Sequence, residues 1–455
     1  MIESERKILE DILEHLERKR ITGVSIDSRT VKPGELFVAV RGDRFDGHDF
    51  VPDAIKRGAW GAVVERSSLE GKYGTLGTLK NIMPVEDTLS SLQEMSMLHR
   101  KKFPAPVVGI TGSNGKTTTK EMLASILRQR GPCLKTEGNL NNHIGVPLTL
   151  LKIDASHRSA IIEMGMSGLN EIELLARLAL PDVGVITNIG PAHLKFLGST
   201  DRVAEAKAEL LTGMRPDGTA VLNADDRYFG VLRKKYSGRI ISFGTDQSAD
   251  VYGSDVTQAR DFLDFSISAD NKKVPVRLRT VGRHNVSNAL AATAAALALG
   301  TPLETVKFGL EEFHAVTMRS ELREVDGRTI ICDYYNANPN SVLAALETLA
   351  SLPGNARTIA VLGDMLELGD ASDNAHAEIG RRTAGLGITH LIAVGPESRR
   401  TAGGARAEGM PRERVHEAET VSRAASLLRE VSKPGDRVLI KGSRGMKMEK
   451  ILEEF

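Results

Sequence analysis

Cysteine is almost absent from this sequence: Cys133 and Cys332 are the only two in 455 residues. Two thiols build neither a disulfide framework nor a four-ligand structural zinc site, so a reducing, cytoplasmic compartment is expected. Net charge is nearly absent too. Lys and Arg number 60 against 59 Asp and Glu, a balance of +1, so no global field draws the chain to nucleic acid or anionic lipid. Any recognition of a polyanion has to be local. No uninterrupted apolar run reaches the roughly 18 residues of a bilayer span; the nearest, Ala289 to Leu299, reads as a buried helix, and no membrane insertion is expected. The first twenty residues place Ile8, Ile12, Leu13 and Leu16 at helical spacing among charges and lack the apolar core of a signal peptide, so a surface helix is expected there. Fixed-period repeats and low-complexity tracts are missing as well. What is present is ordinary: 41% hydrophobic and 26% charged residues, enough apolar material for several buried cores. At about 150 residues per domain the length suggests about three domains.

Residues 21 to 66 carry short β-rich runs, Leu36 to Val40 and Ala62 to Val64, punctuated by Pro33-Gly34, Gly42-Asp43 and Asp46-Gly47 turn signals. A helix from Thr88 to Lys102 closes this module. Phe103-Pro-Ala-Pro106 then suits a linker, because proline restricts both itself and the residue before it. From Val107 short apolar strands alternate with helical patterns: Val107 to Ile110, Ala160 to Ile162, Val183 to Thr187 and Ala220 to Leu222. That is the rhythm of a mostly parallel sheet covered by helices. Between Ile240 and Arg279 the alternation of Phe262, Phe265 and Ile267, then Val274, Val276 and Leu278, suggests antiparallel strands appended to that sheet. The βα rhythm returns in Thr329 to Cys332, Thr358 to Leu362, Leu391 to Val394 and Arg437 to Ile440, enough for a second doubly wound unit. The expected fold class is α/β with three domains: a small N-terminal α/β domain (1–103), a central P-loop-type parallel-sheet ATPase domain (104–318) and a C-terminal Rossmann-like domain (319–455).

The strongest chemical signal runs from Gly109 to Thr119, after an apolar strand and into a helix with Met122, Leu123, Ile126 and Leu127 on one face. In Thr111-Gly112-Ser113-Asn114-Gly115-Lys116-Thr117-Thr118 the glycines let backbone N–H groups curl around phosphate oxygens at a helix N-terminus. Lys116 would reach the β- and γ-phosphates and Thr117 would ligate Mg²⁺. Ile110 stands where the strict phosphate-loop pattern has its first glycine, so the match is to a variant loop; the plain alternative is a glycine-rich turn with a surface lysine. Glu163 ends an apolar strand at its carboxyl end, as a magnesium ligand or a surface acid. His193 also follows a strand, where a structural hydrogen-bonding role is open to it. Lys207, within Val203 to Leu210, reads on its own as a solvated helix lysine. Asn285 and Asn288 open an alanine-rich helix, where Asn285 can serve as an N-cap. Asp333 to Pro339 follows a buried strand and either lines a sheet's carboxyl end or caps the next helix; Lys441 to Arg444 repeats the geometry as an anion contact.

Taken in order, Thr111 to Thr118, Gly138-Asn-Leu-Asn-Asn-His-Ile-Gly-Val-Pro147, Glu163-Met-Gly165, Ala192-His193, Ala206-Lys-Ala-Glu209, Gly282-Arg-His-Asn285 and Tyr335-Asn-Ala-Asn-Pro339 resemble the motif series of the Mur ligases. These are ATP-dependent amide ligases of bacterial cell-wall precursor synthesis. Asn139 to Asn142 with Ile144-Gly145, Phe45-Asp-Gly-His48 and Gly363-Asp-Met-Leu-Glu-Leu-Gly369 are most similar to the branch that adds D-alanyl-D-alanine to UDP-MurNAc-tripeptide. The resemblance implies ATP and two Mg²⁺ ions, with Glu163, His193 and Thr117 as metal residues and Lys207 carbamylated by CO₂ into an anionic ligand. It implies catalytic roles for Lys116, His193 and Lys207, and nucleotide contacts from Asn285, Asn288, Arg319, Asp333 and Asn336. Ser28 and Arg29 fall to the UDP site, and Asn139 and Asn142 to polar contacts with substrate. A cytoplasmic monomer is expected. Tyr334 departs from the pattern, standing where the family has Ser or Asp. Rival readings are another Mur-type or a folylpolyglutamate-type ligase, or a nucleotide-switched binding protein.

Overall fold

The computed structural model describes residues 3–42, 44–69, 75–77, 79 and 81–455; Asp43 of the Gly42-Asp43 turn signal lies outside them. Three sheets follow one another along the chain. The first pairs Val24–Ser25, Leu36–Val38, Gly61–Glu65 and Ile82–Val85 in that order, all parallel. Its middle strands are apolar at successive positions because both faces are covered. On one side Leu9, Ile12 and Leu13 of the helix Glu3–Glu17 pack with Leu36, Val38 and Val63, and with Leu92 and Met95 of the helix Thr88–Lys101. On the other, Phe37, Ala62 and Val64 meet Val51 and Ala54 of the helix Val51–Lys56. The expected surface helix is therefore amphipathic, with one stripe in a core. After the Thr88 helix the buried Arg100 donates to the carbonyls of Phe103 and Ala179, at 2.7 and 3.1 Å, and pairs with Asp182 at 3.3 Å, which fastens the linker to the next unit.

The second sheet has nine strands in the order Lys272–Leu278, Leu263–Ala269, Val251–Gln258, Arg239–Gly244, Thr219–Asn223, Val183–Ile186, Val107–Thr111, Ser159–Glu163, Cys133–Lys135. Val107–Thr111 lies between strands reached by crossovers to opposite sides, the position at which an open α/β sheet opens a crevice beyond its carboxyl ends. The expected antiparallel addition is smaller than the sequence suggests. Arg239–Gly244 and Val251–Gln258 pair in parallel, and antiparallel pairing is confined to the strands between Val251 and Leu278. The helix His284–Ala298, which contains the alanine-rich run, is buried in the core beside this sheet. Among the described residues no helix is long and apolar enough to cross a membrane.

The third sheet runs Glu321–Val325, Arg328–Cys332, Arg437–Lys441, Thr358–Gly363, His390–Val394, Val415–Ala418, with only the first pair antiparallel. Tyr334 is buried in its core with Ile330, Cys332 and Val438, so it stands behind the site wall. Both cysteines are free.

Candidate active site

The strand Val107–Thr111 delivers the chain to a loop and then to the helix Lys116–Arg128. Ile110, where the strict loop pattern has glycine, is a fully buried strand residue, so the bend is shorter and begins at Gly112. Gly112 and Gly115 hold φ of 151° and 81°, and a Cβ on either would run into Thr187 Oγ1 or Asn288 Oδ1. The loop is pinned from the neighbouring strand end: the Ser113 amide donates to Asn188 O at 2.9 Å, and the Asn114 amide to Asn188 Oδ1 at 3.0 Å. Lys116 folds back over the loop and donates to Gly112 O at 2.8 Å. Burial pulls its ammonium below the usual lysine range, while Glu163 works the other way. The cavity wall starts at Ser113; Thr111 is buried behind it with its hydroxyl donating to Met164 O at 3.0 Å. Thr111 thus supports the loop from the sheet side.

This cavity, of about 700 Å³, gathers Ser113 to Thr118, Asn139, Asn142, Glu163, His193, Lys207, Asn285, Asn288, Arg319, Asp333 and Asn336. Glu163 is only 2% exposed, so it is no surface acid. Its carboxylate accepts from Thr117 Oγ1 at 2.9 Å and from Asn141 Nδ2 at 3.0 Å, and faces the buried Lys120 ammonium at 3.6 Å. Burial raises its pKa, but Lys120, Lys116 and Arg319 outweigh that and hold it below the usual range. Lys207 overturns the solvated-helix reading: it is 2% exposed. No carboxylate or hydrogen-bond acceptor meets its ammonium among the described residues, and burial, reinforced by Lys116, pushes its pKa well below the ordinary lysine value. His193 stands just before the short helix Leu194–Leu197, and burial lowers its pKa.

Asn285 is not an N-cap. Its amide donates back to Val281 O at 2.8 Å while its oxygen accepts from Asn288 Nδ2 at 2.9 Å, so both asparagines are set side by side against the phosphate loop. From the third sheet, Arg319 stacks over Tyr335 at 4.0 Å and Asp333 accepts from Lys441 Nζ at 2.6 Å. Lys441 is thereby tied to a carboxylate and is not the free anion contact that its sequence position suggests. Asn114 and Asn338 exchange hydrogen bonds across the boundary at 2.7 and 3.3 Å. The Asn336 side-chain oxygen accepts from the Ala337 amide at 2.9 Å.

A second cleft, about 1070 Å³, is walled by Ile26 to Arg29, Arg44, Phe45 and Gly47 of the first sheet's loops and by Ile144. Arg29 is 84% exposed and forked onto Asp27, which it holds down at about 2. Gly47 is required by a close approach, since a Cβ there would lie 2.7 Å from the Ala39–Val40 backbone. Asn142 lines the first cavity and Ile144 the second, so one segment walls both. Asn142 also caps the chain there, its oxygen accepting from the Gly145 amide at 2.9 Å. Sequence reasoning missed Lys120, and it quoted Asn141, Tyr335 and Asn338 within motifs without giving them a role. Lys120 lies one helical turn beyond Lys116, a spacing that points both lysines to the same side and could have disclosed it.

Family models for the Mur ligase catalytic domain, middle domain and glutamate ligase domain match residues 20–99, 110–296 and 318–444. The UDP-N-acetylmuramoyl-tripeptide–D-alanyl-D-alanine ligase of Bacillus subtilis is 37% identical over 440 residues, 96% of this chain and 94% of that one. The chain belongs to the Mur ligase family. A crystal structure of MurF from Acinetobacter baumannii superposes on this Mur ligase with a TM-score of 0.87 at 32% identity, covering 97% of each chain. The MurF ligase of Thermotoga maritima in complex with ADP gives 0.83 at 30% identity, over 95% of this chain and 96% of that one.

The residues of this Mur ligase fit a nucleotide and a hard cation. The glycine bend and helix N-terminus form an anion cradle. Thr117, Glu163 and His193 offer hydroxyl, carboxylate and imidazole donors beside it. Among the described residues no three His, Cys, Asp or Glu converge as a metal cage, and Mg²⁺ in nucleotide sites is held by one or two carboxylates with phosphate oxygens completing the shell.

Proposed function

We propose that this chain uses ATP to join D-alanyl-D-alanine to the terminal carboxylate of UDP-MurNAc-tripeptide, releasing ADP and phosphate, in cytoplasmic peptidoglycan precursor synthesis and so in cell shape and division. The observation that carries this reading is the run from Asn139 to Ile144, which walls both the phosphate-loop cavity and the Arg29 cleft. A substrate with a nucleotide at one end and a carboxylate at the other can lie along that run, its UDP end by Ser28 and Arg29 and its peptide end by Asn139 and Asn142.

The peptide carboxylate attacks the γ-phosphate to give an acyl phosphate, and the dipeptide amine then displaces phosphate through a tetrahedral intermediate. The chain contributes position and charge. Lys116 neutralises developing phosphoryl charge, while Asn285 and Asn288 sit against the loop that holds the phosphates. Arg319, Asp333 and Asn336 close over the nucleotide from the third sheet and exclude water from a hydrolysable acyl phosphate. Thr117, Glu163 and His193 would hold magnesium, which when bound supplies Lewis-acid charge neutralisation. Lys207 completes that donor set as a carbamate. Support comes from its burial and depressed pKa, because the neutral amine is the form that attacks CO₂.

The test is a coupled assay of ADP release with UDP-MurNAc-tripeptide and D-alanyl-D-alanine. Release that requires both acceptor and dipeptide supports the reading. Nucleotide hydrolysis indifferent to either would fit a nucleotide-switched binding protein, and release driven by glutamate or another amine would fit a different ligase of this family.

A further inference from the structure

The motif Gly363 to Gly369 has no part in the reaction just described. It leaves the strand Thr358–Gly363 and crosses to the central unit, where it meets the His193 loop at two points. The Glu367 carboxylate lies 2.8 Å from His193 Nδ1, and the Glu367 carbonyl accepts from the Lys195 amide at 3.0 Å. Both residues hold left-handed backbone, φ 54° at His193 and 65° at Glu367, a conformation that residues with a Cβ seldom adopt. Gly369, at φ 57°, lets the motif come close: a Cβ there would touch Lys195 Cα at 3.4 Å. The motif is rigid on its own side. The Met365 amide donates to the buried His376 Nε2 at 3.0 Å, and the Leu366 amide to Ser443 Oγ at 2.9 Å.

We propose that Glu367 is a positioning residue that fixes the His193 imidazole with its proton on Nδ1 and its Nε2 lone pair free for a cation in the cavity. The inference rests on the ligase reading, in which His193 serves the nucleotide's magnesium. A carboxylate only accepts, so the ring nitrogen facing it carries the proton and the other is left as a donor to a metal. Because the two residues belong to different sheets, this orientation exists only when the third sheet's unit is closed on the central one. Closure and metal-site assembly thus become one event.

The test uses the full chain, the ATP analogue AMPPNP, and Mn²⁺ as probe, with binding followed by EPR. Glu367→Ala should weaken Mn²⁺ binding about 10- to 100-fold, the usual effect of losing a partner that orients a metal ligand. The KM for the UDP-linked substrate should not change. Glu367→Gln, whose carbonyl can still accept the Nδ1 proton, should stay close to wild type. Arg260→Ala serves as the control for domain contact alone: it removes the 2.7 Å cross-sheet pair with Glu324, which lies outside the cavity wall. It should leave Mn²⁺ affinity unchanged. In a His193→Gln background, Glu367→Ala should add nothing. ¹⁵N spectra of histidine-labelled protein, with the His193 signal assigned by its loss in His193→Gln, should move from the Nδ1–H form toward Nε2–H in Glu367→Ala. Wild-type Mn²⁺ affinity in Glu367→Ala, an equal loss in Arg260→Ala, or an unmoved His193 signal would overturn the proposal. The binding and ¹⁵N readouts need no turnover, so a failure of the peptide substrates to react would count against the ligase reading and leave this one standing on its own results.

Discussion

Lys207→Met should slow ligation severely and stabilise the protein at the same time. The side chain is 2% exposed, on a helix face with the buried Val203, Ala204, Leu210 and Leu211, and its nitrogen has no acceptor among the described residues. Methionine keeps the length and removes the polar atom. The nitrogen borders the cavity, so what the substitution relieves is desolvation of the ammonium, about 1–3 kcal/mol on the mutational scale; the variant should gain about that much in CO₂-free buffer, or about 2–4 °C in Tm per kcal/mol. The pH dependence has a definite sign. An unfolded lysine titrates near 10.5 and the folded one well below, so between those values the unfolded state binds more protons and wild-type stability rises with pH. The variant should lack that slope, and its advantage should shrink as pH climbs toward 10.5. Its ligation rate should fall about 10²- to 10³-fold, the scale of losing one group that stabilises charge in the transition state. Two measurements check this: thermal unfolding between neutral and mildly alkaline pH, and ADP release with and without bicarbonate. In Lys207→Ala, where space is vacated, a short carboxylic acid should restore part of the rate and an ammonium compound should not. A variant that melts at or below wild type with full activity would return Lys207 to an ordinary packing role.

Lys116→Ala should abolish phosphate release at saturating ATP with an unchanged circular dichroism spectrum, since the side chain touches the loop carbonyl of Gly112 and no core cluster; undiminished turnover would sink the phosphate-loop assignment. Arg29→Ala should raise KM for the UDP-linked substrate about tenfold with kcat little changed, as expected for a remote contact made equally in ground and transition states. A change in the KM for ATP instead would show that the first sheet's cleft takes another ligand. Lys120→Met should lower stability to urea by about 3 kcal/mol, because it strands the buried Glu163 carboxylate without its 3.6 Å partner. The loss should diminish as falling pH protonates Glu163, and a variant as stable as wild type at neutral pH would contradict the pairing.

What the sequence disclosed and what it hid divide along physical lines. Central strands such as Val107–Thr111 and Arg437–Lys441 are covered on both faces and therefore read as continuous apolar runs. Among the strands that escaped notice, Cys133–Lys135, Glu321–Val325 and Val415–Ala418 are sheet edges, where half-exposed positions take polar side chains and the run is broken. The phosphate loop was legible because its function is written in glycines and one lysine at fixed spacing. Lys207 was not, since a lysine in an alanine-rich helix has the same letters whether it faces water or a cavity wall; only the family resemblance singled it out. Lys120 and Lys441 were hidden for a related reason. Each meets a carboxylate more than 40 positions away in sequence, Glu163 for Lys120 (beside its neighbour Glu121) and Asp333 for Lys441, and periodicity carries no information about such pairs.

Those two pairs also explain how the cavity can be rich in cations and still select its anions. Lys120 is held by Glu121 and Glu163, at 3.3 and 3.6 Å, and Lys441 by Asp333 at 2.6 Å, and both ammonium side chains are buried. No carboxylate pairs with Lys116 or Arg319 among the described residues, which on the proposed reading leaves these two for phosphate oxygens. A fixed carboxylate at position 207 would then be a poor solution. Before nucleotide and magnesium arrive it would be a buried anion facing Lys116, drawing that lysine away from the phosphate site. A buried neutral amine costs less to hold in the empty state. On the proposed reading it would become an anion by reversible reaction with CO₂, and a cation in the cavity would favour that form by direct attraction. On this argument magnesium and nucleotide should raise the fraction of carbamate on Lys207. ¹³CO₂ NMR on the purified protein, read with and without Mg²⁺ and AMPPNP, should show the carbamate carbon strengthen on their addition. A signal equally strong without them would remove the electrostatic reason for a lysine at this position.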